Sequence, residues 1–233
     1  MRAPVLATIL ALACAGSLAL AQQPAPPAPS AAPAQQAVAQ TPAPPPMPAS
    51  PRGSAAAQVG GRWVEEKPGA APRYREGKWI TVDYGRPILR GRTNIFGAGA
   101  DYGKAVNGGA PVWRAGANQT TRLKTEVPLV FGTTTVPAGE YNVLVDLKPG
   151  AWTLILSTQP YQQKYAPANK TDLWGSYNYD PKFDLVRVPM QTVDMNLSAE
   201  QFDIGFLDMT QEGGWLGMWW EKTGAKVAFA VAK

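Results

Sequence analysis

Glu140-Tyr141-Asn142-Val143-Leu144-Val145-Asp146-Leu147 is the stretch whose reading decides the fold. Tyr141, Val143, Val145 and Leu147 recur at every second position, the period of a strand with one face turned inward. A helix would return apolar residues at three and four positions, and helical periodicity is hard to find anywhere in the chain. Pro137-Ala138-Gly139 precedes the octet and Pro149-Gly150 ends it, as turn residues do. Outward from it, Trp79-Ile80-Thr81-Val82-Asp83-Tyr84 sets Ile80, Val82 and Tyr84 on one face. Similar short runs lie at 120–125, 152–157, 184–189, 203–209, 214–220 and 226–231. Thr223-Gly224 reads as the hairpin turn between the last two. Eight or more such strands with Gly and Pro between them predict an all-β fold, an antiparallel β-sandwich of jelly-roll-like type. The segment 159–181, rich in Tyr, Asn, Lys and Pro, reads as a long loop, either functional or a flexible excursion.

All eight tryptophans lie beyond Arg62, and the composition changes there. Residues 62–233 are enough for one domain with a substantial core. Residues 22–61 are assigned to a linker; the part from 22 to 51 contains 11 prolines, with Ala, Gln and Ser making up nearly all the rest. Such a segment cannot bury enough apolar surface to offset its ordering entropy, which predicts a disordered, semi-stiff tether. Residues 1–21 carry Arg2, an apolar run from Val5 to Leu20 and a closing Ala19-Leu20-Ala21. A basic start, an apolar middle and a small-x-small exit define a secretory signal, and the Ala-rich leader predicts a bacterial periplasmic or secreted protein. The one cysteine, Cys14, lies inside this leader. Cleavage after Ala21 leaves a mature chain without thiols or disulfides. Cleavage before Cys14 would instead make a lipid-anchored envelope protein, the one route to a membrane.

The chain has no histidine. Ser-His-Asp and Cys-His nucleophile systems are therefore excluded, as are imidazole metal sites. Zinc needs imidazoles or thiolates, and no Asp-x-Asp-x-Asp run gathers oxygens for calcium, so no metal or cofactor is expected. Gly97-x-Gly99 with Gly103 has the wrong spacing for a dinucleotide loop, and no Walker or nucleophile-elbow motif occurs. Residues 62–124 hold 12 Lys/Arg against 5 Asp/Glu, and residues 125–233 hold 8 against 12. The basic residues are scattered singly and no nucleic-acid motif appears, so this asymmetry predicts halves that interleave and pair rather than a nucleic-acid partner.

The chemically densest stretch runs from Asp83-Tyr84-Gly85-Arg86-Pro87 through Gly91-Arg92 and Asn94-Ile95-Phe96-Gly97. Tyr102-Gly103 and Val112-Trp113-Arg114-Ala115-Gly116-Ala117-Asn118 complete it. With Pro137–Tyr141 and Trp152-Thr153-Leu154-Ile155, these segments resemble the bacterial family known as domain of unknown function 2911. The resemblance covers about residues 78–157 well and the C-terminal third more loosely. The Trp-Arg-x-Gly-Ala-Asn piece is its most specific element. It implies a β-sandwich in exported proteins and no established activity. Two departures stand out: Asn107-Gly108-Gly109-Ala110 looks like an insertion, and Gln119 stands where relatives often have an acid.

Tyr84, Arg86, Arg92, Trp113, Arg114 and Asn118 are the candidate ligand-binding residues. Arginine forks suit carboxylate or phosphate, ring faces suit a sugar, and an amide adds a donor and an acceptor. Alternatively, Arg86 and Arg114 pair with Asp83 or Glu140, and Trp113 belongs to the core. Trp219 and Trp220 must face opposite sides of a strand, and the outward one is a candidate partner contact. The expected function is a non-catalytic envelope domain binding a glycan, a cell-wall component or a protein. The alternatives are a carboxylate-dependent glycan hydrolase or lyase, which needs two Asp/Glu facing one pocket, and a purely structural accessory domain.

Overall fold

A computed structural model describes residues 49–233. The leader, Cys14 and the tether up to residue 48 lie outside the described residues. Twelve strands follow one another: β1 (Arg52–Val59), β2 (Arg62–Val64), β3 (Arg73–Arg75), β4 (Lys78–Gly85), β5 (Thr121–Thr125) and β6 (Leu129–Phe131) come first. Then come β7 (Thr134–Val136), β8 (Gly139–Asp146), β9 (Thr153–Ser157), β10 (Asp184–Pro189), β11 (Gln191–Thr210) and β12 (Gly213–Val231). Among the described residues one short α-helix, α1 (Lys104–Asn107), sits between β4 and β5.

The strands form a six-stranded sheet in the order β1-β4-β5-β8-β9-β10 and a four-stranded sheet β11-β12-β6-β7, with β2-β3 as a separate ribbon. All strand pairs are antiparallel. The inner faces share one core. Ile80, Val82, Leu123, Val143, Val145 and Leu154 of the larger sheet join Leu129, Phe131, Ile204, Leu216, Met218 and Phe229 of the smaller. This is the antiparallel sandwich that the alternation in β4 and β8 predicts.

Strand β8 departs from simple alternation, because Leu144 on its outer face is as buried as Val143 and Val145. A second cluster explains this: Leu144 and Ile155 pack against Val112 and Leu173 outside the larger sheet. The loop 159–181 therefore covers that face. It is held together by two buried amides. Gln159 Nε2 donates to the carbonyls of Thr171 (2.8 Å) and Asn178 (2.7 Å), and its Oε1 accepts from Asp180 N–H (3.0 Å). Gln162 Nε2 donates to the carbonyls of Asn169 and Asp172, and its Oε1 accepts from Ala166 N–H. A loop whose buried polar groups are paired in this way is an ordered surface.

Two expectations are corrected. The linker does not extend to residue 61, because residues 52–59 form β1 and pair with β4 from Arg52↔Gly85 to Val59↔Lys78. The strand is Arg-Gly-Ser-Ala-Ala-Ala-Gln-Val, and its inward positions are occupied by Gly53, Ala55 and Ala57 before Val59. Small residues give no hydrophobic alternation to read. They are needed here, since a methyl group on Gly53 would overlap the Arg86 side chain and the Tyr84 ring. Likewise Thr223-Gly224 is not a turn: it lies inside β12, opposite Asp194 and Val193. The chain reverses at Thr210–Gly213 instead, where Thr210 Oγ1 donates to Gly213 O and accepts from Glu212 N–H. The break in pattern near Thr223 marks a bulge, because the four residues of β11 between Asp194 and Ala199 face the single residue of β12 between Thr223 and Glu221.

The charge halves interleave as expected. Glu140 receives Lys124 at 3.3 Å and Arg122 at 3.4 Å, and Arg86 reaches Asp203 at 2.6 Å.

Candidate functional site

Glycine chemistry at the end of β4 builds the site. Gly85 and Gly116 lie backbone to backbone: Ala117 N–H donates to Gly85 O at 3.2 Å, and a methyl group on Gly85 would overlap Ala117 O. One on Gly116 would come 2.7 Å from Gly85 O. With Ala115 (φ 46°) and Asn118 (φ 63°) in the left-handed region, the segment 114–118 curls over this seat. Thr121 Oγ1 fastens it to Ala115 O at 2.8 Å. The curl turns Arg114 and Asn118 towards the end of the sandwich.

A second loop, 87–95, approaches from the other side. The carboxylate of Glu221 pins it by accepting from Asn94 N–H (2.5 Å) and Ile95 N–H (3.0 Å). Arg92 folds back on this loop, with Nε donating to Leu89 O and Nη2 to Ile88 O, and its guanidinium lies 5.6 Å from the Trp220 ring centre.

Between the two loops opens a cleft of about 880 Å³, whose lining includes Arg92, Arg114, Asn118, Trp174, Tyr177 and Trp220. Among the described residues no Asp or Glu lines it. Neither arginine makes an ion pair among the described residues. Arg114 Nη1 donates to Asn118 O at 2.8 Å, and its guanidinium lies 5.4 Å from the Tyr177 ring centre and against Gly175. Burial draws the Arg114 pKa below its ordinary value, yet arginine is so strong a base that it keeps its charge at neutral pH. A guanidinium has five N–H donors, so both arginines keep donors beyond those bonds. Trp220, also in the lining, is 4 % exposed, and its buried Nε1–H has no partner among the described residues.

The six sequence-predicted residues divide. Arg92, Trp113, Arg114 and Asn118 line the cleft. Trp113 does so as a core residue, 1 % exposed and packed edge-on against Phe96, Trp152 and Phe202. Tyr84 and Arg86 do not reach the cleft. The Tyr84 hydroxyl donates to Asp203 Oδ1 (3.2 Å) and Ile204 O (3.4 Å), and Arg86 binds the same carboxylate. Burial holds the Tyr84 phenol above its ordinary pKa. The arginine partners differ from both acids expected, since Arg86 takes Asp203 and Arg114 takes none. Trp220, the inward member of the tryptophan pair, is the one at the cleft; Trp219 packs against Gly205. Sequence reasoning missed Trp174 and Tyr177, whose signal was two aromatics in a long polar loop.

The family model described as "Protein of unknown function (DUF2911)" matches residues 69–229. The chain belongs to this family. No curated protein and no solved structure matches it. Trp113-Arg114-Ala115-Gly116-Ala117-Asn118 is the loop seated on Gly85, so Gly116 is a packing requirement and Arg114 and Asn118 are the groups delivered. Asn107–Ala110 and Gln119 bear on the rim. The Gly108 carbonyl accepts from the Tyr177 hydroxyl at 2.8 Å and so holds that ring at the cleft. Gln119 ties Arg52 of β1 to the long loop, accepting from Arg52 Nη2 and donating to Gln163 O, and lies outside the cleft lining.

Proposed function

We propose that this protein is an exported envelope domain whose role is to bind a ligand carrying an anionic group, the carboxylate of an acidic glycan. The observation that carries this reading is the pairing of Arg92 and Arg114 on one cleft that no carboxylate lines. Two guanidinium groups kept without counter-ions in a concave site attract an anion and supply the directed donors that fix it. The Tyr177 and Trp174 rings and the Asn118 amide suit the sugar that bears the carboxylate. Export rests on the leader of residues 1–21. The glycan hydrolase reading has no carboxylate pair to work with at this cleft.

Titration of the mature protein with glucuronate and with inorganic phosphate, followed by calorimetry or amide chemical shifts, tests the reading. Saturable binding that falls at least tenfold in Arg114→Met and in Arg92→Met is the expected result. Absence of binding by either anion, or binding indifferent to both substitutions, would overturn it.

A further inference from the structure

Beside the main cleft lies a second cavity of about 330 Å³, lined by Tyr165, Pro167, Asn169, Lys170, Trp174, Tyr177 and Asn178. Trp174 and Tyr177 belong to both linings, so the two cavities share a wall. Both volumes fall within the roughly 300 to 1,000 Å³ of small-molecule sites.

Three aromatic side chains crowd this wall without a core to serve. Tyr165 is 56 % exposed and Tyr177 42 % exposed, and the Tyr165 and Trp174 ring centres lie 5.5 Å apart. Folding does not require large rings at the surface. Nor are they on a loose segment, because Gln159 and Gln162 bind the loop into a fixed shape. Pre-ordering of this kind lowers the entropy lost on binding. Pro167 is the cavity's one aliphatic lining residue. The remainder is ring faces, amides and Lys170, which has no ion pair among the described residues. That combination matches sugar hydroxyls and C–H faces.

Building on the anion-binding reading above, we infer that the two cavities are adjoining subsites for one acidic oligosaccharide of at least two units. The carboxylate-bearing unit sits between Arg92 and Arg114, and the next unit lies across Trp174 against Tyr165, with Lys170 at its edge.

The probes are glucuronate and a hyaluronan tetrasaccharide, which alternates glucuronate with N-acetylglucosamine, titrated into the mature protein. The tetrasaccharide is expected to bind at least tenfold tighter than glucuronate. Trp174→Ala and the more exposed Tyr165→Ala should each erase most of that gain, and Tyr165→Ala, which touches only the second cavity, should leave glucuronate affinity within about twofold. Tyr165→Ala keeps the test decisive if the tryptophan variant fails to fold. Equal affinity for the two probes, or a gain that survives both substitutions, would overturn the inference while the anion site stands. An acidic peptide that binds tighter than the tetrasaccharide would also overturn it. Failure of glucuronate and phosphate alike would sink the reading beneath it as well.

Discussion

Arg86 and Arg114 come from one motif-rich stretch, flank the same glycine seat and end in opposite electrostatic situations. Arg86 crosses the sandwich to Asp203, which also receives the Tyr84 hydroxyl; the result is a partly buried, charge-balanced tie between β4 and β11. Arg114 is held by a carbonyl and an aromatic face, without an acid, at the mouth of a cleft. The contrast separates two uses of one residue type. A paired arginine is consumed by the fold, whereas an unpaired one that the fold nevertheless orders is available to a ligand.

The largest effect should come from the seat that both regions share. Gly85→Ala forces a methyl group into Ala117 O. A loss of about 3 kcal/mol or more of unfolding free energy is expected, read from urea unfolding. A variant of full stability would show that the 114–118 loop can move off β4, and the comparison would then lose its common frame.

Next, Arg86→Met leaves the Asp203 carboxylate with only the Tyr84 hydroxyl. Both side chains of the ion pair are close to a third exposed, so the cost is about 1–2 kcal/mol, below that of breaking a fully buried pair. Glucuronate affinity should stay unchanged. Arg114→Met should do the reverse: about tenfold or greater loss of glucuronate affinity, about 1.4 kcal/mol, with unfolding free energy within about 0.5 kcal/mol of the parent. If both variants lost stability and binding together, the two arginines would not be doing different work.

The smallest effect is on pH dependence. Burial raises the phenol pKa of Tyr84 and of Tyr141 above the ordinary 10.0. Unfolded tyrosine ionises first, so the unfolded chain binds fewer protons there, and stability present below pH 10 is lost as pH rises through the folded values. Tyr84→Phe should make this alkaline decline shallower, by less than about 1.4 kcal/mol per pH unit. Unfolding curves between pH 9 and 11 would check it, and an unchanged slope would place the Tyr84 hydroxyl outside the coupled tie.

Much of this was legible in the residues. Alternation in β4 and β8 is visible because their inward side chains are large and the outward ones of β4 include Thr81 and Asp83. The seat was legible as glycines beside Arg and Asn. Strand β1 was hidden because Gly53, Ala55 and Ala57 carry too little side chain to mark a face. The β11–β12 reversal was hidden because a bulge and a turn interrupt the pattern in the same way. The cleft was half visible: four of its lining residues stood out as a motif, while Trp174 and Tyr177 come from a loop whose path depends on Gln159 and Gln162.

By itself, the sequence determined the all-β class, the family and the exclusion of imidazole chemistry. These follow from local spacing and residue inventory, which need no partner. Only the tertiary structure decided that Asp203 claims Arg86 and that nothing acidic claims Arg114. The Arg86–Asp203 pair joins residues about 120 positions apart, and which of several acids arrives is settled by strand order and register, not by any property of the arginine.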